Sequence, residues 1–214
     1  MTVTEFGNPE AAMVLVQPVD ARDLPTMEGE IREIRRLSTV DFHLMAVQVD
    51  RWNDDLSPWA APAVFGREDF GCGAGGLLQE ILTRCAGEDK TFLIGGYSLA
   101  GLFALWAACQ TDRFAAVAAA SPSVWFPGFT DYLRTHSLHS RAVYLSLGDR
   151  EEKTRNPVMA TVGSRIREVC EILRADGIRC ALEWNSGNHF RDPELRTGRA
   201  FAWALNSLSG QQAE

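Results

Sequence analysis

In Gly96-Tyr97-Ser98-Leu99-Ala100-Gly101 a serine stands with small residues two positions before and two after it. An apolar run, Phe92-Leu93-Ile94, precedes this segment. A stretch that is apolar on nearly every side follows it, with Leu99, Leu102, Phe103, Leu105 and Trp106. That is the strand–turn–helix setting of a nucleophile elbow, Gly-x-Ser-x-Gly, with Ala100 where glycine is usual. A sharp turn forces the serine into strained backbone angles, so its close neighbours must be small. The hydroxyl then projects from the strand end. The amide of Leu99, at the helix start, faces the oxyanion that attack on a carbonyl creates.

A serine nucleophile needs a base, and the base an orienting acid, here in the chain order serine, acid, histidine. Of the four histidines, His43 falls inside an early strand, and His136 and His139 lie in a polar segment. His189 sits in the turn-rich Asn185-Ser186-Gly187-Asn188-His189-Phe190, after the last predicted strand, where the base belongs. The acid is expected after the strand ending at Leu147, where Gly148-Asp149-Arg150-Glu151-Glu152 offers three carboxylates. Glu151 is the first choice and Asp149 the alternative. A second oxyanion donor is expected from Asp50-Arg51-Trp52-Asn53, as the amide of Trp52 or Asn53. Tyr97 adjoins the nucleophile and is a candidate substrate contact. Trp52, Trp59 and Trp125 fall in loops at the same end, where they are candidates for a pocket wall or for core packing.

These residues need a scaffold. Val14-Leu15-Val16 reads as the first strand, ended by Pro18, and residues 28–37 as a helix with Ile31, Ile34 and Leu37 on one face. A strand over 42–49, a long loop, a helix over 74–86 and the strand before Ser98 follow. The second half repeats the alternation: a strand over 114–120, another over 142–147, a helix started by Asn156-Pro157 and closed by Gly177, a strand over 178–184 and a closing helix over 192–208. Alternating strands and helices predict one α/β domain over residues 1–214, a mostly parallel sheet with helices on both faces, and function at the carboxyl ends of the strands.

Composition narrows the function classes. The chain has 214 residues, 46% of them hydrophobic, and a formal charge of −7, which disfavours nucleic acid and anionic membrane surfaces as partners. Residues 91–111 are uncharged, but Gly95-Gly96-Tyr97-Ser98 divides them into a strand and a helix rather than a membrane span. Five dispersed cysteines show no zinc-type spacing, and the first residues lack a secretory pattern. The expectation is a cytoplasmic protein without a metal. No Walker-type loop or dinucleotide fingerprint is present, so no cofactor is expected.

Four ordered motifs carry a family resemblance: Gly-Tyr-Ser-Leu-Ala-Gly-Leu-Phe-Ala-Leu-Trp, Ala-Ala-Ser-Pro-Ser-Val-Trp, Leu-Ser-Leu-Gly-Asp-Arg-Glu-Glu and Gly-Asn-His-Phe. From about residue 40 onward the chain resembles esterases of the α/β-hydrolase superfamily related to esterase D and the enterochelin esterases. The resemblance implies Ser98 as nucleophile, His189 as base and Glu151 as acid. It also implies that Ser121-Pro122-Ser123-Val124-Trp125 shapes the pocket, with Ser123 and Trp125 as substrate contacts. Superfamily lids are commonly inserted between the strands near 120 and 142, and residues 121–141 are too few for a cap domain. The expected activity is hydrolysis of a small carboxylic ester in an open cleft. A thioesterase or acyltransferase using the same residues, and an inactive hydrolase-like binding protein, are the alternatives.

Overall fold

Short apolar runs punctuated by Gly, Pro and Asp become seven strands in the computed structural model, which describes residues 2–210. In chain order the elements are β1 (Val3–Gly7), β2 (Met13–Val19), α1 (Met27–Leu37), β3 (Phe42–Gln48), α2 (Trp52–Asp55), α3 (Ala74–Arg84), β4 (Thr91–Tyr97) and α4 (Leu99–Gln110). There follow β5 (Phe114–Ala120), α5 (Phe129–Leu133), β6 (Ala142–Gly148), α6 (Val162–Ala175), β7 (Arg179–Asn185) and α7 (Pro193–Ser209). The sheet order is β1-β3-β2-β4-β5-β6-β7. Every pairing is parallel except that of β1 with β3.

Strand alternation sends side chains to two cores. On one face Leu15, Leu93, Ala116, Ala118 and Ala120 meet Met27, Ile31 and Ile34 of α1 and Phe201, Ala204 and Leu205 of α7. On the other, Val14, Val16, Ile94 and Val117 meet α3, α4 and α6 through Leu78, Ile81, Phe103, Ile166 and Val169. The alanines of β5 let α7 lie close to the sheet. A Cβ on Gly95 would stand 2.7 Å from the Phe201 ring and 2.8 Å from the Ala118 methyl. Helix α4 is buried along Leu99–Ala108, which explains why its sequence shows no polar face.

Four expectations are corrected. A strand, β1, precedes Val14–Val16 and pairs antiparallel with β3. Its Val-Thr-Glu-Phe sequence is only partly buried, so it lacks the apolar signature of the inner strands. Pro18 does not end β2; it lies in register with Val47 of β3, past Val16, the last residue that pairs with β4. A strand flank with no partner tolerates the missing amide. On α1 the inward face is Met27, Ile31 and Ile34, while Leu37 is exposed. Finally, the Asn156 side chain accepts from the amides of Val158 and Met159, but this cap starts a 3-10 turn over Met159–Thr161 and α6 begins only at Val162.

Between β5 and β6 the only helix is the five-residue α5, and no cap covers the carboxyl end of the sheet there. Among the described residues no helix is long and apolar enough to cross a membrane.

Candidate active site

Ser98 joins β4 to α4 with φ 57° and ψ −119°, a strained conformation for a residue with a side chain. Backbone bonds hold it there: its amide donates to Ala120 O at 3.1 Å, and its carbonyl accepts from the Ser123 amide at 3.0 Å. Its neighbours must be small for a reason the structure makes explicit. A Cβ on Gly96 would lie 2.7 Å from the Ala100 methyl, and one on Gly101 3.0 Å from Gly96 O. Alanine is accepted at position 100 because Gly96 leaves room for its methyl. Leu99 is the first residue of α4, so its amide has no acceptor within the helix.

From Ser98 a hydrogen-bonded chain runs inward. Ser98 Oγ lies 3.0 Å from His189 Nε2, and His189 Nδ1 lies 2.6 Å from Glu151 Oε2. The second Glu151 oxygen accepts from the Gly148 amide at 2.7 Å, the Ser121 hydroxyl at 2.8 Å and Arg196 Nη1 at 3.0 Å. Burial alone would push the Glu151 carboxyl up. The His189 ring, the Gly148 amide and the Ser121 hydroxyl together outweigh it and hold the group below the ordinary carboxylate value.

Two loops present the acid and the histidine, and they are laced together. The Asp149 amide donates to Asn185 O at 2.8 Å and the Arg150 amide to Gly187 O at 3.1 Å. In return, Asp149 Oδ1 accepts from the Gly187 amide at 2.8 Å. A Cβ on Gly148 would sit 2.4 Å from Gly187 O, so the contact requires glycine. Asp149 therefore touches the backbone of the histidine loop and Glu151 touches the histidine ring. Glu152 lies 3.7 Å from Arg167 on α6.

Arg196, from α7, was not singled out by sequence. Only 2% of it is exposed, and it donates to Glu151, to Tyr97 Oη at 3.1 Å and to the carbonyls of Ser186 and Asn188 at 3.3 and 3.1 Å. One guanidinium thus neutralises the buried acid and fastens the loop that carries His189. Tyr97 adds a bond from its hydroxyl to the His189 carbonyl at 2.7 Å, and burial first of all pushes its own hydroxyl up to about 12.

A cleft of about 230 Å³ opens beside the serine, and Tyr97, Ser98, Trp52 and His189 all line it. Ser123 Oγ approaches Ser98 Oγ at 3.3 Å. The other sequence candidates are elsewhere. Trp125 is packed against Phe65 and Phe70, and Trp59 donates its ring N–H to Pro127 O. The Asn53 carbonyl accepts from Ser57 and Gly71, and Asn53 is not part of the cleft wall. Sequence reasoning also missed Gln17, Val19 and Glu30, which line the cleft from β2 and α1. The available signal was Glu30 itself, a carboxylate at helical spacing among Met27, Ile31 and Ile34.

Neither a protein-family model nor a curated protein matches the chain. The likeness lies in the folded structure. The siderophore hydrolase EstA from Aspergillus nidulans superposes with a TM-score of 0.62 at 22% identity, covering 97% of this chain and 86% of that one. An IroE-like serine hydrolase from Shewanella oneidensis gives a TM-score of 0.67 at 13% identity, over 96% of this chain and 74% of that one. Acyl-protein thioesterase 2 from Zea mays gives 0.59 at 13% identity, over 98% of both chains. With its parallel sheet, its strained serine between β4 and α4 and these structural likenesses, the chain has the α/β-hydrolase fold.

Proposed function

We propose that the protein is a serine hydrolase that cleaves a small carboxylic ester through an acyl-enzyme. The observation that carries this reading is the unbroken chain from Ser98 Oγ through His189 to Glu151. In the reaction, His189 Nε2 takes the Ser98 proton as Oγ bonds to the ester carbonyl carbon. Glu151, held ionised by its donors, stabilises the imidazolium and keeps Nδ1 protonated. The Leu99 amide faces the oxyanion, and Trp52, the cleft-lining member of the early loop, remains the candidate for the second donor. His189 then gives its proton to the departing alkoxide as the ester C–O bond breaks, and water repeats the sequence to release the acid.

The cleft volume of about 230 Å³ lies under the roughly 300 Å³ where drug-sized ligand pockets begin, which favours a small ester. The −7 charge suits a small-molecule substrate rather than a nucleic acid or an anionic membrane.

A fluorophosphonate, located by peptide mass spectrometry, tests the reading. The expected result is one adduct on Ser98, lost in both Ser98→Ala and His189→Ala, with esterase turnover falling by roughly three to six orders of magnitude in Ser98→Ala. Absence of an adduct in folded protein overturns it. Comparing matched oxygen esters and thioesters then separates esterase from thioesterase.

A further inference from the structure

The wall of the cleft also holds groups that the hydrolytic chemistry does not use. Gln17 on β2 and Glu30 on α1 are 5% and 3% exposed, and both line the cleft that Ser98 and His189 line. They share one hydrogen bond, from Gln17 Nε2 to Glu30 Oε2 at 3.2 Å. The remaining oxygens, Gln17 Oε1 and Glu30 Oε1, are buried without a partner. Buried polar atoms left unpaired cost free energy, and Gln17 Oε1 in particular calls for a donor supplied from the cleft.

The surrounding charge says what kind of donor. Among the described residues Asp23, Glu30 and Glu194 line the cleft and no lysine or arginine does. Among the described residues His189 is the one cleft-lining side chain able to carry positive charge, and its Nδ1 already faces Glu151. An anionic substrate group would be repelled by Asp23 and Glu194, and a neutral hydroxyl would gain nothing from their charge. Trp52, Tyr97 and Phe190 add aromatic faces to a wall that also holds Val19 and Met27, and Phe190 is 86% exposed beside the His189 ring. Aromatic faces together with carboxylates make a setting that attracts cations. Burial, opposed by the Gln17 bond and reinforced by Asp23 and Glu194, pushes the Glu30 carboxyl up to about 8. A cation seated against it would draw it back to the ionised form, its proton leaving to water.

Resting on the serine hydrolase reading, we infer that Glu30 and Gln17 form a subsite for a protonated amine, and that the substrate is an ester carrying an ammonium group. The ammonium N–H donates to Glu30 Oε1 or Gln17 Oε1, with Asp23 and Glu194 adding charge and Trp52 and Phe190 packing against its alkyl substituents.

Matched pairs of esters test this, because a protonated dimethylamino group and an isopropyl group have the same shape. One pair is dimethylaminoethyl acetate and isoamyl acetate, with the cation on the alcohol. The other is ethyl dimethylaminopropanoate and ethyl isocaproate, with the cation on the acyl group. In at least one pair the wild-type protein at pH 7 is expected to favour the amine by about tenfold or more in kcat/KM. Glu30→Gln should bring that ratio close to one, and Glu194→Gln should lower it by a smaller factor. Calorimetry on Ser98→Ala protein reads binding of the same esters without turnover. Labelling at Ser98 with no amine preference in either pair overturns the subsite and leaves the hydrolase reading standing. Failed labelling with Glu30-dependent binding of the amine ester keeps the subsite and overturns the hydrolase reading. Equal binding of amine and hydrocarbon esters to Ser98→Ala overturns the subsite whatever the labelling shows.

Discussion

Glu151 shows how a side chain acquires a role from its partners. Three carboxylates share the segment after β6, and only Glu151 reaches the His189 ring, at 2.6 Å. Asp149 instead holds the Gly187 amide, and Glu152 points toward Arg167. The substitutions should therefore separate cleanly. Glu151→Ala is expected to lower kcat by roughly 10³ to 10⁴, the scale of losing the orienting acid. Asp149→Ala should cost about tenfold or less, through a looser histidine loop; steady-state kinetics on one ester compares them. Arg196 is a second case, since the residue is 2% exposed and its guanidinium faces Glu151. Replacing it with Leu removes a buried partner of that acid together with the ties to the Ser186 and Asn188 carbonyls, and urea unfolding should show a loss of about 3–5 kcal/mol. The sequence offered Arg196 as an ordinary arginine of a helix, because nothing local says that its face turns toward the sheet.

At the scale of elements, the turn between β4 and α4 was the most legible part of the chain. Its small residues are a local requirement, imposed by contacts among residues 96 to 101. Gly96→Ala would bring two methyls within 2.7 Å, and overpacking of that kind costs about 1–3 kcal/mol. Adding Ala100→Gly to that variant removes the opposing methyl, so part of the stability should return as a non-additive coupling in denaturant melts. The helix over 28–37 was legible as a helix but less so by face, because its apolar positions alternate with Glu30 and Glu33. Both carboxylates are buried; Glu30 meets Gln17 of β2, and Glu33 meets Arg199 of α7 as well as Arg36 of its own helix. The edge strand β1 was not legible, since it is five residues long and only partly buried.

For the whole molecule, Glu30 and Glu151 set opposing limits on stability as pH changes. Between its ordinary value of 4.5 and about 8, the folded chain keeps on Glu30 a proton that the unfolded chain has released. Rising pH through that window therefore favours unfolding, by on the order of 3–5 kcal/mol in total for this group. Glu151 acts the other way: its folded carboxyl is lowered from 4.5, so its contribution is present above that value and is lost as pH falls through the lower folded one. Thermal or urea unfolding across pH should place maximum stability on the acid side of neutrality, with a decline toward pH 8. Glu30→Gln should flatten that decline, and an unchanged slope in the variant would count against the buried carboxyl as its cause. A cation seated against Glu30 would offset that loss, as the proposed subsite requires.

The sequence by itself determined the alternation of strands and helices, the elbow at Ser98 and the loop carrying His189, because periodicity, turn chemistry and small-residue requirements act over a few positions. Only the tertiary structure decided which carboxylate meets His189, that Arg196 from α7 completes its shell, and that Gln17 and Glu30 face the same cleft as Ser98. Those relations join residues far apart in the chain. Sheet order and helix docking bring them together, and no local pattern encodes the distance between them.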